Sequence, residues 1–269
     1  MAFKKPAEHG AWGILVAPFL SAAAVGASTG PDAGGWNLPL LLCGVCLLAL
    51  FLLRGSLAGR EARTAIREPA HLVLASLVLV TAHVLVLYYG RWQLIGLGHA
   101  AGFLYVIQRR LAASNSVERK EKHSLQAELI GVVLLSLSAP AAWISAQGGM
   151  SFTGVQVWLL NLLFFLGGVL YVKYRVRGIA AHRQFAGVSD KLAFAWPVVI
   201  YHVLMAAFLA SSIVQHWFPV AVLLAFVPGI LRANALLLHL GRRFAIRRLG
   251  WTEVAHSLVF GVLLVLAFR

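Results

Sequence analysis

Six ionisable side chains stand at or near one end of long apolar stretches: Glu8, His9, Glu128, Arg232, Glu253 and His256. A charge inside an apolar run is costly, so each of them needs a partner or a task. Arg232 is the deepest of the arginines, a turn or two inside its stretch. Either Glu128 or Glu253 is its natural partner, because an unpaired buried charge would be strongly destabilising. Glu253 and His256 are three residues apart and share a helical face. Either Glu8 with His9 or Glu253 with His256 has the residue types of a general base. Arg54, Lys173, Arg175 and Arg177 close two further stretches. Brought together, these groups would line a polar cavity, and a guanidinium grips carboxylate or phosphate with two parallel hydrogen bonds. The expected ligand is therefore a small anionic or amphipathic molecule. The plainer reading of the terminal cations is that they set topology and meet anionic lipid head groups.

His83 and His202 fall eleven or twelve residues into their stretches, and a facing pair of imidazoles could hold haem iron axially. The competing reading is that each histidine hydrogen-bonds a neighbouring helix. Cys43-Gly44-Val45-Cys46 is the one cysteine pair. It lies in an apolar run without a nearby cation to lower a thiol pKa, so we read it as small packing residues. Gly96, Gly98, Gly167 and Gly168 are read in the same way, as sites of close helix approach. There is no phosphate-binding glycine loop, no H-E-x-x-H, no G-x-S-x-G and no paired-aspartate motif. The two aspartates, Asp32 and Asp190, are both in loops. No metal site is expected beyond the haem possibility.

The elements that must position these groups follow from composition. Of 269 residues, 60% are apolar and 12% charged, with a mean hydropathy of +0.82. Soluble domains are nearer half apolar and a quarter charged, so a soluble enzyme, a nucleic-acid-binding module and a disulfide-stapled secreted domain are excluded. The net charge of +14 would otherwise suggest a nucleic-acid partner. Nine apolar stretches span residues 10–28, 36–53, 71–89, 92–108, 125–146, 153–173, 191–213, 217–239 and 251–268. Most match the ~20 residues a helix needs to cross a bilayer. Lipid offers the backbone no hydrogen bonds, so each must be a helix. The expectation is an all-α, polytopic membrane bundle of nine transmembrane helices forming a single domain, with the lipid bilayer as its partner.

Sorted by loop, 20 of the 23 Lys and Arg residues fall on one side of this arrangement, and only Arg91 and Arg269 on the other. Cations collect in cytoplasmic loops. The expectation is an inner-membrane protein with a cytoplasmic N-terminus and an external C-terminus. Lys4-Lys5 before the first run suggests a signal peptide, but Glu8-His9-Gly10-Ala11-Trp12 and Pro18 are foreign to one, so no cleavage is expected.

Shifting the chain by about 120 residues aligns Glu8 with Glu128, Pro18 with Pro140, Arg54-Gly55 with Arg177-Gly178, His83 with His202 and Arg109 with Arg232. The pattern suggests a tandem four-helix repeat, 1–123 and 124–250, with a ninth helix at 251–269. Parallel repeats of this kind recur in membrane transporters.

The start Lys5-Pro6-Ala7-Glu8-His9-Gly10-Ala11-Trp12, with its following apolar run, resembles that of the YwiC-like bacterial membrane proteins. Ser138-Ala139-Pro140-Ala141-Ala142, Gly168-Val169-Leu170-Tyr171-Val172-Lys173 and Arg247-Arg248-Leu249-Gly250-Trp251-Thr252-Glu253 fit the same family. That resemblance implies a membrane protein and assigns no active site. A looser architectural similarity is to the UbiA-type prenyltransferases, which also have nine helices and a cytoplasmic N-terminus. It implies, as an alternative, a lipid- or isoprenoid-modifying enzyme. In that family clustered aspartates hold Mg²⁺, a hard cation that takes oxygen ligands. Here the corresponding helix ends carry Arg54, Arg60, Lys173, Arg175 and Arg177 instead, which argues against Mg²⁺-dependent prenyl transfer.

Overall fold

The computed structural model describes residues 9–29, 37–57, 69–113, 117–180, 185, 187–240 and 246–269. Among them every regular element is helical. The helices are α1 (His9–Thr29), α2 (Leu38–Leu57), α3 (Pro69–His83, continued by a π-helical turn, Val84–Tyr88), α4 (Gln93–Ala112), α5 (Val117–Ser136), α6 (Ser138–Gln147), α7 (Phe152–Ala180), α8 (Val188–Val214), α9 (Val222–His239) and α10 (Ile246–Ala267). Each of the nine apolar stretches falls mainly on a helix, or on two in series; 217–221, expected to open the eighth, form turns before α9, and residue 36 lies outside the described residues.

The stretch at 125–146 is the one that divides. Pro140 has no N–H to return to Ser136, so the hydrogen-bond ladder is interrupted at Leu137 and a new helix begins at Ser138. The break is tied to α1, where the Ser138 hydroxyl donates to the Leu15 carbonyl at 2.7 Å. Gly148, with φ of +88°, then ends α6 in the left-handed conformation that glycine adopts without penalty.

Seven segments are long and apolar enough to cross a membrane: Gly10–Thr29, Leu38–Gly55, Pro69–Tyr88, Leu125–Gln147, Phe152–Gly178, Val188–Val214 and Arg248–Ala267. The apolar part of α9 is shorter, Val222–Ala235. Helix α4 is diluted by Gln93, His99, Gln108, Arg109 and Arg110. The outward faces are apolar as well. Leu72, Val73 and Val80 on α3, Val203 and Leu204 on α8, and Leu258 and Val262 on α10 are all more than half exposed. Contiguous apolar surface on this scale suits lipid, not water.

Helix α7 is central. It packs against α5, α6, α8 and α9, while α1 lies against α6 and α10. Their shared core contains Trp143, Leu160, Phe164, Phe165, Leu209, Phe226 and Phe260. Phe164 and Phe260 stack with centroids 4.0 Å apart, and Phe226 meets Phe260 edge-on at 5.3 Å. Polar contacts add to this packing, as expected where lipid provides no hydrophobic force between helices. The Asn161 amide of α7 donates to the Ser21 hydroxyl of α1 at 3.0 Å, both fully buried. Helix α3 packs chiefly on α2, and α4 on α5 and α6, so these two flank the bundle.

Candidate functional site

Helices α7, α8, α9 and α10 converge on Arg232, through Gly168 and Tyr171, His202 and Glu253. Its Nη1 donates to Glu253 Oε1 at 2.6 Å, and its side chain is only 11% exposed. The sequence left Glu128 and Glu253 open as partners, and the packing of α9 on α10 selects Glu253. The guanidinium lies over the Tyr171 ring, 4.3 Å from the centroid, so the negative π-face supplements the carboxylate. Arg232 Nε is buried and has no hydrogen-bond partner among the described residues.

A cavity of about 10 Å³, lined by Phe164, Gly167, Gly168, His202, Met205, Phe226, Gly229 and Arg232, adjoins the pair. That is room for one water molecule at most. His202 Nδ1 donates to the Val198 carbonyl at 2.7 Å, which fixes the tautomer and leaves Nε2 as the acceptor. The absence of side chains at Gly167 and Gly168 brings the surrounding groups together. A Cβ at 167 would stand 3.4 Å from His202 Nε2 and 3.0 Å from the Tyr201 ring. A Cβ at 168 would stand 3.7 Å from Glu253 Oε2 and 3.8 Å from Arg232 Nη2. Tyr201 is anchored by donating its hydroxyl proton to the Leu163 carbonyl at 2.6 Å.

The other expected residues are distributed around this centre and do not all enter it. Glu128 pairs instead with Lys173 at 2.7 Å, tying α5 to α7. Arg54 Nη2 donates to Gln108 Oε1 at 2.8 Å and lies 5.7 Å from the Tyr105 centroid, which engages it with α4. Arg175 is buried, and Arg177 lies over the Tyr174 ring at 5.7 Å. His256 is one turn beyond Glu253, with Nδ1 donating to the Thr252 carbonyl at 2.7 Å. Glu8 lies outside the described residues, and His9 opens α1 with a side chain that is also outside them.

His83 and His202 are not brought into one site. His83 is exposed on α3, whose main neighbour is α2, with its Nδ1 donating to the Leu79 carbonyl at 2.7 Å. Cys43 and Cys46 are buried free thiols, as packing residues would be. Among the described residues no three His, Cys, Asp or Glu side chains cluster as a metal site would require. A larger recess of about 570 Å³ runs along α4 beside Leu94, Gly98, His99 and Phe103, away from the Arg232 pair. Its walls come from one helix, so it is an open helix face, not an enclosed pocket.

Sequence reasoning missed Tyr171; it read Gly167 and Gly168 as sites of close helix approach, which they are, and Gly96 and Gly98 likewise, although a Cβ at either would meet nothing within 4 Å among the described residues. The signal for Tyr171 was present: it stands three residues from Gly168 and four from Gly167, which places it on their side of α7.

The fold and site define a helical membrane protein with a largely buried ion pair inside its bundle. The chain belongs to the YwiC-like family, whose model matches residues 6–143. It is similar to an uncharacterised protein called YwiC from Bacillus subtilis, 26% identical over 95% of this chain and 94% of that protein. It is also similar to an uncharacterised protein of Haemophilus influenzae, 29% identical over 56% of each chain, so the match spans about half the length of that relative. No solved structure matches this chain.

Proposed function

We propose that the protein binds, and in the membrane transports, a small anionic or amphipathic molecule at Arg232. The observation that carries this reading is the guanidinium itself: largely buried, with an Nε that no group among the described residues satisfies, bordering a cavity. A buried donor left unsatisfied costs about 1–3 kcal/mol, more when charged, which an anion contacting it would recover. At about 10 Å³ the cavity is too small for an organic anion as it stands, so binding requires α9 or α10 to shift against α7.

The setting we propose is a multi-pass protein of the bacterial inner membrane with nine transmembrane helices, α4 and α9 included. The N-terminus is cytoplasmic and the C-terminus external, as the 20 cations on one side favour. The site then lies toward the cytoplasmic face, because Arg242, Arg243, Arg247 and Arg248 stand in sequence between Arg232 and Glu253. The tandem repeat is part of the same proposal and is supported by the residues that align at a shift of about 120, Glu8 with Glu128 and His83 with His202 among them. The enzyme alternative, with Glu253 and His256 as base, is less favoured because the Glu253 carboxylate is held by Arg232.

The test is thermal unfolding of purified protein against a panel of carboxylates, phosphates and anionic lipids. An anion that raises the melting temperature of the native protein should fail to do so after Arg232→Ala. An unchanged shift in the variant would remove this site from consideration.

A further inference from the structure

Charge balance at the Arg232 site points to what accompanies the ligand. As it stands the pair is neutral, with one guanidinium against one carboxylate. The surrounding elements bring few other charges to it. Helix α1, packed on α10, has no Asp, Glu, Lys or Arg between residues 9 and 29. Helix α7 brings Tyr171, with Lys173, Arg175 and Arg177 further along, and Lys173 is paired with Glu128. Helix α8 brings Tyr201 and His202, and α10 brings His256; each of these three has a backbone carbonyl as a hydrogen-bond acceptor. Among the described residues no carboxylate lines the cavity, and Glu253 is the one paired to its guanidinium.

A monoanion entering this neutral site would leave a net negative charge in a low-dielectric interior, at large cost. Moreover, Glu253 already holds the position the ligand needs, with Oε1 on Nη1. The unused oxygen and unused nitrogen of the pair, Oε2 and Nη2, both face the gap that Gly168 leaves open. Of the remaining side-chain walls His202 is polar, whereas Phe164, Met205 and Phe226 are apolar and give an organic body a contact that a strongly hydrated phosphate cannot use.

We infer that the site takes up an organic monocarboxylate together with one proton, the proton going to Glu253. The inference rests on Arg232 being the anion-binding group proposed above. The proton comes from water on the side the ligand enters, and one O–H bond forms on Glu253. The hydrogen bond from Arg232 Nη1 passes from Glu253 to the incoming carboxylate, whose second oxygen reaches Nη2 or Nε. The net charge of the site is the same before and after, and release reverses both steps.

The experiment is titration calorimetry of the full chain in lipid nanodiscs with sodium butyrate, in two buffers of equal pH and different ionisation enthalpy. Inorganic phosphate is the comparison ligand. The expected result is about one proton taken up per butyrate, with affinity falling about tenfold per pH unit as pH rises above 7. Phosphate should bind at least about tenfold more weakly, for want of an apolar body. Glu253→Gln should bind butyrate more tightly and without proton uptake, whereas His202→Gln should keep the uptake. Butyrate binding to the native protein with no proton exchange would overturn the inference while leaving the anion site intact. So would proton uptake that disappears in His202→Gln and survives in Glu253→Gln, or phosphate binding as tightly as butyrate. Failure of both ligands to bind, or equal butyrate binding by Arg232→Ala, would instead remove the underlying anion site. Should Glu253→Gln not fold, the native two-buffer and pH series still decides the matter.

Discussion

Removing either member of the Arg232–Glu253 pair should destabilise the protein unequally, because the two charges differ in how they can be neutralised. With Nη1 and Oε1 at 2.6 Å, the charge centres are about 4 Å apart, and an effective dielectric of about 20 makes their attraction about 4 kcal/mol. Glu253→Met strands a guanidinium that cannot release its proton within the stability range of a protein. Breaking a buried pair in this way costs about 3–5 kcal/mol. The lower end applies, since the Glu253 side chain is 24% exposed. Arg232→Met strands a carboxylate, which can bind a proton and become neutral, so the loss should be nearer 1–2 kcal/mol. The double variant restores neutrality with apolar volume and should lie within about 1 kcal/mol of the native protein. The coupling energy of the cycle is then roughly 3 kcal/mol. Reversible unfolding in mixed micelles on addition of SDS, followed by fluorescence of the eight tryptophans, measures all four proteins. A coupling below about 0.5 kcal/mol would refute the reasoning, because exposed ion pairs already reach that value. Arg232→Met costing more than Glu253→Met would refute it equally.

Two further outcomes follow from packing. Gly154→Ala places a Cβ 2.6 Å from Cδ1 of the buried Trp143 ring, so the ring or α7 must move. We expect a loss of about 1–3 kcal/mol, as for overpacked cores, read from the same unfolding titration. Cys43 and Cys46 are 3% and 9% exposed inside α2, so a membrane-impermeant maleimide should label neither until SDS unfolds the bundle. Rapid labelling of the native protein would show that the α2–α6 contact opens.

Helix positions were legible because of the solvent. In lipid the backbone must satisfy itself within each segment, so a run of apolar residues already specifies a helix, and the nine runs fall mainly on helices, with turns at 217–221. The exception at Leu137 was also written locally, in Pro140, although a hydropathy window averages over a single missing N–H. The candidate residues were legible as types, since an Arg or Glu inside an apolar run stands out. Their grouping was not. Arg54, Glu128 and Arg232 looked like members of one cavity, whereas the structure engages Arg54 with Gln108, Glu128 with Lys173, and Arg232 with Glu253.

The sequence alone thus determined a helical membrane protein, the location of its helices and the small set of charges that have to be reconciled with lipid. Only the tertiary structure decided which charge meets which. Inside the bilayer every helix presents similar apolar faces, so pairing depends on close approach at particular small residues. Gly167 and Gly168 let α8 and α10 near enough to α7 for Tyr171, His202, Arg232 and Glu253 to share one site. Hydropathy carries no information about that approach, because a glycine in an apolar run reads the same whether it faces lipid or a guanidinium.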